Sequence, residues 1–497
     1  MITAALERLH PLARGSLAAL AGASFSLGLA PFNAWPIALL SIAAFYWLLQ
    51  HSKRPVLIGW LYGLGFWGVG TSWVFNSIHD YGYTPAWMAA PIFLIFAASL
   101  ALFHALQAWT HKKLSKHASG VLSVFIFAML WVGFEWFRGW FLTGLPWLYV
   151  GYAAIDTPLV GFAPFTGIFS LSFAMALSAM LPIILLQHKH IASAAAIFLL
   201  WPLGFLAGSQ QWTEPLSTQS VAMVQGNIPQ DQKWQASMRE TTLNIYAGLS
   251  ESQWSKRDLI IWPEAAIPLF HSQATDFIES MQDKATGSKA SLITGIPYNL
   301  PDGRFYNSVI SLSPDLARYD KQRLVPFGEY IPLSDWIRKV SPFLPIANFS
   351  KGSDEQSPLP YTKGEIAPFI CYETAYPSTI NPLAAQADIL VTLSNDGWFG
   401  ASIGPHQHLQ MAQMRAIEAQ KYVLRATNTG YTAIITPKGK LQDIAAFAKR
   451  AVLVGEFQTR SGSTPYNRLG NWPFYALFLC FGFVIFFLTH RNKTQSV

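Results

Sequence analysis

Long apolar runs, broken by short charged or Pro/Gly punctuation, fill roughly the first 210 residues of the chain, and then the pattern changes. Each run approaches the roughly 20 residues that a helix needs to cross the hydrocarbon core of a bilayer. They predict spans at 15–32, 35–50, 56–77, 87–109, 119–138, 158–186 and 191–208, with an eighth at 472–489. Between the last two, short β-rich runs stand at 221–225, 258–262, 291–295, 308–312, 366–371, 388–392, 432–435 and 452–455. Helical patterns at 236–253, 274–284 and about 405–421 alternate with them. Strands that are apolar almost throughout predict sheets covered on both faces, so this block reads as a layered α/β domain large enough for its own core. The expected organisation is seven membrane helices in 1–211, the α/β domain in 212–468 and an eighth helix in 469–497. Stretch 333–362 fits neither pattern. It is polar and Pro-rich with isolated Trp336, Phe343, Leu344 and Phe349, which predicts a mobile arm held near the membrane surface.

Charge adds an orientation. Only 12% of residues are charged and mean hydropathy is +0.27, where soluble domains carry about twice that charged share. The net charge of +7 and pI near 9.2 come largely from Lys and Arg at span ends, so no nucleic-acid partner is implied. Arg8 and Arg14 precede the first span, Lys53 and Arg54 follow the second, and Lys112, Lys113 and Lys116 follow the fourth. Lys189 follows the sixth, and Arg491 and Lys493 follow the eighth. All these clusters fall on one side, which predicts cytoplasmic termini and an outward-facing 212–468. No cleavable signal stands at the start, so the first run is expected to remain as an anchor. In loop 135–152, Glu135 and Arg138 among several tryptophans suggest a wall of a lipid-access cleft.

Candidate chemistry gathers at strand ends, where open α/β sheets build their sites. The run at 258–262 leads to Trp262-Pro263-Glu264, a strand-like 315–319 leads to Asp320-Lys321, and 366–370 delivers Cys371. A lone cysteine is ordinarily a small buried hydrophobe, but the other cysteine, Cys480, lies in the apolar C-terminal run, and a thiol on the outer side of a membrane needs a purpose. A cysteine attacks as its thiolate. Glu264 is placed to take its proton and Lys321 to hold an oxyanion, with Glu329 and Glu373 orienting the lysine or relaying protons. His406 and His408 lack a third ligand with metal spacing, so no metal and no cofactor is expected.

These residues sit in motifs that carry a resemblance. Glu264 follows Trp-Pro; Lys321 lies in Tyr319-Asp320-Lys321-Gln322-Arg323-Leu324-Val325-Pro326-Phe327-Gly328-Glu329; Cys371 lies in Ile370-Cys371-Tyr372-Glu373. Together they look like the Glu-Lys-Cys triad of the nitrilase (carbon-nitrogen hydrolase) superfamily. With Ser394-Asn395-Asp396-Gly397-Trp398 downstream and eight spans around the block, the chain resembles the apolipoprotein N-acyltransferase family over essentially its whole length. The resemblance implies a nitrilase-like α-β-β-α sandwich fused to a multi-span α-helical membrane domain in a bacterial inner membrane, with the catalytic domain periplasmic. It implies a two-step transfer in which Cys371 takes a fatty acyl chain from a glycerophospholipid such as phosphatidylethanolamine as a thioester. The acyl chain then passes to the α-amine of an S-diacylglyceryl-cysteine apolipoprotein, Glu264 serving as proton acceptor and Lys321 as oxyanion stabiliser. Trp234, Asn307, Glu329, Tyr372, Glu373 and Trp398 are implied as supports or substrate contacts, and a monomer is expected. Two other readings use the same residues: a membrane-tethered amidase or nitrilase acting on a small substrate, and a non-catalytic lipoprotein-binding membrane protein.

Overall fold

The computed structural model describes residues 10–118, 120–312, 316–332 and 348–494, which form two compact units. One comprises the described parts of Met1–Gln210 and Leu469–Val497 together with Ala401–Gln410; the other comprises Gln211–Gly400 and Met411–Arg468.

The first unit is helical. Ala86–Leu114, Gly120–Arg138 and Pro158–His188 are long and apolar enough to cross a membrane, and Trp35–Gln50, Pro55–Gly70, Ile191–Ala207 and Trp472–Val484 are shorter apolar helices. Two elements stop earlier than the apolar pattern predicts. The run at 15–32 is helical over Pro11–Ser24, tightens into a 3-10 turn at Phe25–Gly28 and then turns extended at Leu29. The amide of Ala34 folds back onto the Leu27 carbonyl at 2.9 Å. The run at 56–77 breaks its first helix at Gly70, where the Thr71 hydroxyl donates to the Trp67 carbonyl at 2.6 Å, and turns helical again over Trp73–Asn76 and Ser77–Tyr81. Apolar side chains continue past both stops, which is why hydropathy misses them.

Small residues set the helix spacing in this unit. Gly59 and Gly63, one turn apart on Pro55–Gly70, face Ala86–Leu114 so closely that a Cβ at Gly63 would sit 2.8 Å from the Cα of Ala101. Gly63→Val gains up to about 0.5 kcal/mol of helix propensity, but overpacking against backbone costs about 1–3 kcal/mol. A lower melting temperature in detergent is the expected result.

Loop 135–152 is closed by its own charges. Glu135 and Arg138 are 3% and 4% exposed, so neither reaches toward a lipid headgroup. The Arg138 guanidinium donates to the carbonyls of Leu145, Trp147 and Leu148 and lies 4.8 Å from the ring centres of Trp67 and Tyr149. Glu135 Oε1 accepts from Trp131 Nε1 at 3.0 Å and from the Val150 amide at 2.8 Å. The pair satisfies backbone groups that the turn leaves without ladder partners.

The second unit contains twelve strands among the described residues: β1 (Thr213–Gln225), β2 (Leu259–Ile261), β3 (Ser291–Asn299), β4 (Phe305–Leu312), β5 (Leu316–Asp320), β6 (Leu359–Tyr361), β7 (Gly364–Ile370), β8 (Ile389–Ser394), β9 (Val423–Thr427), β10 (Ala433–Ile435), β11 (Leu441–Ile444) and β12 (Ala451–Gly462). They form two six-stranded sheets, ordered β12-β1-β2-β3-β4-β5 and β11-β10-β9-β8-β7-β6. Each sheet has a parallel centre, β1-β2-β3 in one and β7-β8-β9 in the other, flanked by antiparallel pairs. Contacts of β1 with β9 and of β4 with β6 and β7 set the sheets face to face. The facing layer is partly polar: Gln225 Oε1 accepts from the Thr432 hydroxyl at 2.7 Å, and the Ser311 hydroxyl donates to the Pro360 carbonyl at 2.7 Å. Helices Arg239–Ser250 and Thr275–Ser288 pack Tyr246, Ile278 and Met281 against Ile260, Trp262 and Leu292 on the outside of the first sheet. Pro377–Ala384 packs on β7 of the second. The result is the α-β-β-α sandwich.

Several elements exceed what the pattern predicts. β1 begins eight residues before the apolar run at 221, because its exposed first half pairs with β12 rather than burying side chains. β6, β11 and the helix Pro377–Ala384 go unseen, since β6 and β11 are edge strands and the helix contains Pro382. Strand β6 also shortens the expected arm at 333–362, of which residues 333–347 lie outside the described residues.

Candidate active site

The parallel β2-β3 pair and the two antiparallel steps to β4 and β5 make β5 run in the same direction as β2, so their carboxyl ends lie on the same side of the sheet. Glu264 follows β2 on a turn whose next residue, Ala265, has φ 47°. Gly295 of β3 lets that turn pass, since a Cβ there would come within 2.7 Å of the Glu264 Cα. Lys321 follows β5 directly; its amide donates to the Asn307 carbonyl at 2.8 Å, and its own carbonyl accepts from the Gly352 amide at 2.9 Å.

Three of the sequence-predicted residues close around the lysine. Lys321 Nζ lies 2.9 Å from Glu329 Oε1 and 3.3 Å from Glu264 Oε1, and the Asn307 amide nitrogen donates to both carboxylates at 2.8 Å. Glu329 Oε2 accepts from the Val325 amide at 2.7 Å, which fixes the 325–329 turn around it. Lys321 is 1% exposed. Burial alone would lower its pKa, but the Glu264 and Glu329 charges overcome that and hold it above the ordinary lysine value, so it stays a cation.

Cys371 arrives from the other sheet. It ends β7 at φ 50°, a left-handed conformation that turns the residue out of the strand into a 3-10 turn. Such strain at a residue with a side chain is characteristic of functional positions. Unlike Lys321 and Glu264, which are buried, Cys371 keeps an accessible surface. Its thiol is nevertheless crowded. Burial and then the Glu264 charge push it up to about 12, with Lys321 and a hydrogen bond involving Ser394 pulling the other way and Asp396 adding to the rise. At neutral pH the group therefore rests as a thiol under the influence of the Glu264 carboxylate.

Glu373 holds the two strand ends together. Its Oε1 accepts from the Tyr319 hydroxyl at 3.0 Å and the amides of Gln322 at 2.6 Å and Arg323 at 3.1 Å, while Oε2 accepts from the Ile370 amide at 2.7 Å. Burial lifts its pKa to about 7 against the Ile370 amide, the Lys321 charge and the Gln322 and Arg323 amides. With both oxygens accepting hydrogen bonds, it acts as a clamp between the ends of β5 and β7. Tyr372 is buried edge-on to Tyr376 at 5.1 Å. Trp234 and Trp398 stand out differently, at 48% and 40% exposed, as broad apolar groups on the surface of this unit.

One residue escapes the sequence reading. Lys233 is 2% exposed, and its Nζ donates to the Glu264 backbone carbonyl at 2.8 Å. Nothing in its polar surroundings marks it, and only its neighbour Trp234 was singled out.

Comparison with known proteins places these observations. The family described as apolipoprotein N-acyltransferase N-terminal domain matches residues 21–181, and the carbon-nitrogen hydrolase family matches 220–466. The chain is 42% identical over 475 residues to the apolipoprotein N-acyltransferase of Azotobacter vinelandii, covering 92% of each chain. The chain belongs to the apolipoprotein N-acyltransferase family. It is also 43% identical over 476 residues to the Pseudomonas syringae apolipoprotein N-acyltransferase, covering 92% of this chain and 94% of that one, and 38% identical over 484 residues to the Vibrio parahaemolyticus protein. The apolar helices and these relatives mark an enzyme of a bacterial membrane whose substrate is a lipoprotein.

Proposed function

We propose that the protein N-acylates lipoproteins by passing a fatty acyl chain through Cys371. The observation that carries this reading is the single cluster of Glu264, Lys321 and Cys371 at the ends of β2, β5 and β7, on a chain that also bears apolar helices long enough to cross a membrane. In the first step the Cys371 sulfur attacks the ester carbonyl of a glycerophospholipid as Glu264 takes the thiol proton. Lys321, held cationic, faces the oxyanion. The C–O bond breaks, Glu264 returns the proton to the departing lysophospholipid alcohol, and a thioester remains. In the second step the α-amine of the diacylglyceryl cysteine attacks that thioester, Glu264 removes a proton from nitrogen, and Cys371 leaves to recover its proton. The amide product and the starting enzyme result.

The donor is proposed to be phosphatidylethanolamine. The setting is proposed to be the inner membrane, with the α/β unit on the periplasmic side, both termini cytoplasmic and a monomer sufficient. The one-sided basic clusters support that orientation. Exposed Trp234 and Trp398 suit an enzyme whose substrates both carry acyl chains, and apolar surroundings slow competing hydrolysis.

Purified full-length protein given phosphatidylethanolamine and a diacylated lipopeptide is expected to yield the triacylated peptide by mass spectrometry. Phospholipid alone is expected to add one acyl mass to the enzyme at Cys371. Release of free fatty acid with no peptide product would instead make the protein a hydrolase.

A further inference from the structure

We infer that Lys233 is a positioning residue for acyl transfer, clamping the turn that carries Glu264 and setting a second positive charge toward Cys371; this rests on the acyl-transfer reading above. Its backbone is fixed first. The Asn428 side chain, just past β9, accepts from the Ile228 amide at 2.9 Å and donates to the Ile228 carbonyl at 2.8 Å. The Lys233 amide then closes a turn on the Pro229 carbonyl at 3.0 Å. This turn sends Lys233 inward while Trp234 stays at the surface, with the ammonium 5.9 Å from the indole centre.

An ammonium is costly to bury unless nearby charge compensates it. One of its three donors goes to the Glu264 carbonyl, which ties the base-bearing turn to the Asn428-anchored segment. The titratable groups that its charge meets are Glu264 and then Cys371, and Lys321 Nζ lies 3.3 Å from Glu264 Oε1. Burial lowers its pKa to about 8, and those two groups pull it back up. Below pH about 8 Lys233 is therefore charged, and a positive charge favours the thiolate and the anionic transition state; above it the charge and the benefit disappear.

The test uses full-length protein in detergent with Cys480→Ala, leaving Cys371 as the one thiol of the two in the chain. Alkylation by iodoacetamide is followed by intact mass from about pH 6 to about pH 10. Lys233→Met is expected to slow alkylation roughly tenfold at neutral pH, the equivalent of one pKa unit, and to converge with the wild type above pH about 8. Lys233→Arg, which stays charged, is expected to keep the neutral rate and extend it to higher pH. Both variants are checked by thermal unfolding, and if Lys233→Met does not fold, Lys233→Arg carries the test alone through its extended profile. An unchanged rate in Lys233→Met, a deficit that persists above pH about 9, or a Lys233→Arg profile identical to wild type or as slow as Lys233→Met would overturn the inference. Acylation by phosphatidylethanolamine is measured in parallel. If alkylation follows the charge while even the wild type gains no acyl mass, the acyl-transfer reading fails and the electrostatic role of Lys233 stands.

Discussion

Cys371→Ala is expected to lose acyl transfer by about 10⁴-fold or more, the scale on which removal of an enzyme nucleophile is felt. The sequence offers one other cysteine, Cys480, which is exposed in the helix Trp472–Thr494 and belongs to the other compact unit. The clamp built by Glu373 uses the Ile370 amide and not the sulfur, so the fold is expected to survive. Cys371→Ser is expected to fail nearly as badly, because a hydroxyl gives up its proton less readily than a thiol in the same crowded place. The measurement is N-acylation of a diacylated lipopeptide, with circular dichroism melting as the folding control. Substantial product from the alanine variant would remove the thioester from the mechanism.

Glu264→Gln separates the two jobs of that carboxylate, which no loss of activity alone can do. As the base, its removal is expected to slow acylation by about 10²–10⁴-fold. As a negative charge, it is one of the groups that push the Cys371 thiol up to about 12. Removing the charge lowers that pKa, so more thiolate is present and iodoacetamide is expected to alkylate Cys371 faster in the variant at the same pH. The opposite signs, slower acylation and faster alkylation, are the expected result. Alkylation that falls together with acylation would mean that Glu264 supports the thiol in some other way.

Most of the architecture was legible because burial writes itself into sequence. β2, β3, β7 and β8 are nearly continuous in apolar residues since both faces are covered; the apolar runs mark β2, β7 and β8 to within two residues at each end, whereas β3 continues to Asn299, four residues past its run. The same logic misses elements that bury little: the exposed half of β1, the edge strands β6 and β11, and the helix stops at Ser24 and Gly70. At the site, Glu264, Lys321, Asn307 and Glu329 prove to be neighbours, a relation that only the pairing through β3 and β4 creates. Glu135, Arg138 and Glu373 illustrate the limit. Their charges suggested a lipid headgroup, a partner for the lysine or proton traffic, whereas each also bonds backbone groups whose need arises only after the chain has folded. Lys233 was invisible for the same reason.

The four donors gathered on Glu373 have a kinetic corollary. The lysine end of one sheet and the sulfur end of the other share a single acceptor, so their spacing is set before any lipid arrives. In the proposed mechanism a donor lipid finds these two strand ends already spaced. Phospholipids differing in head or tail are therefore expected to change how often the site fills, read as KM, far more than the turnover once it is full.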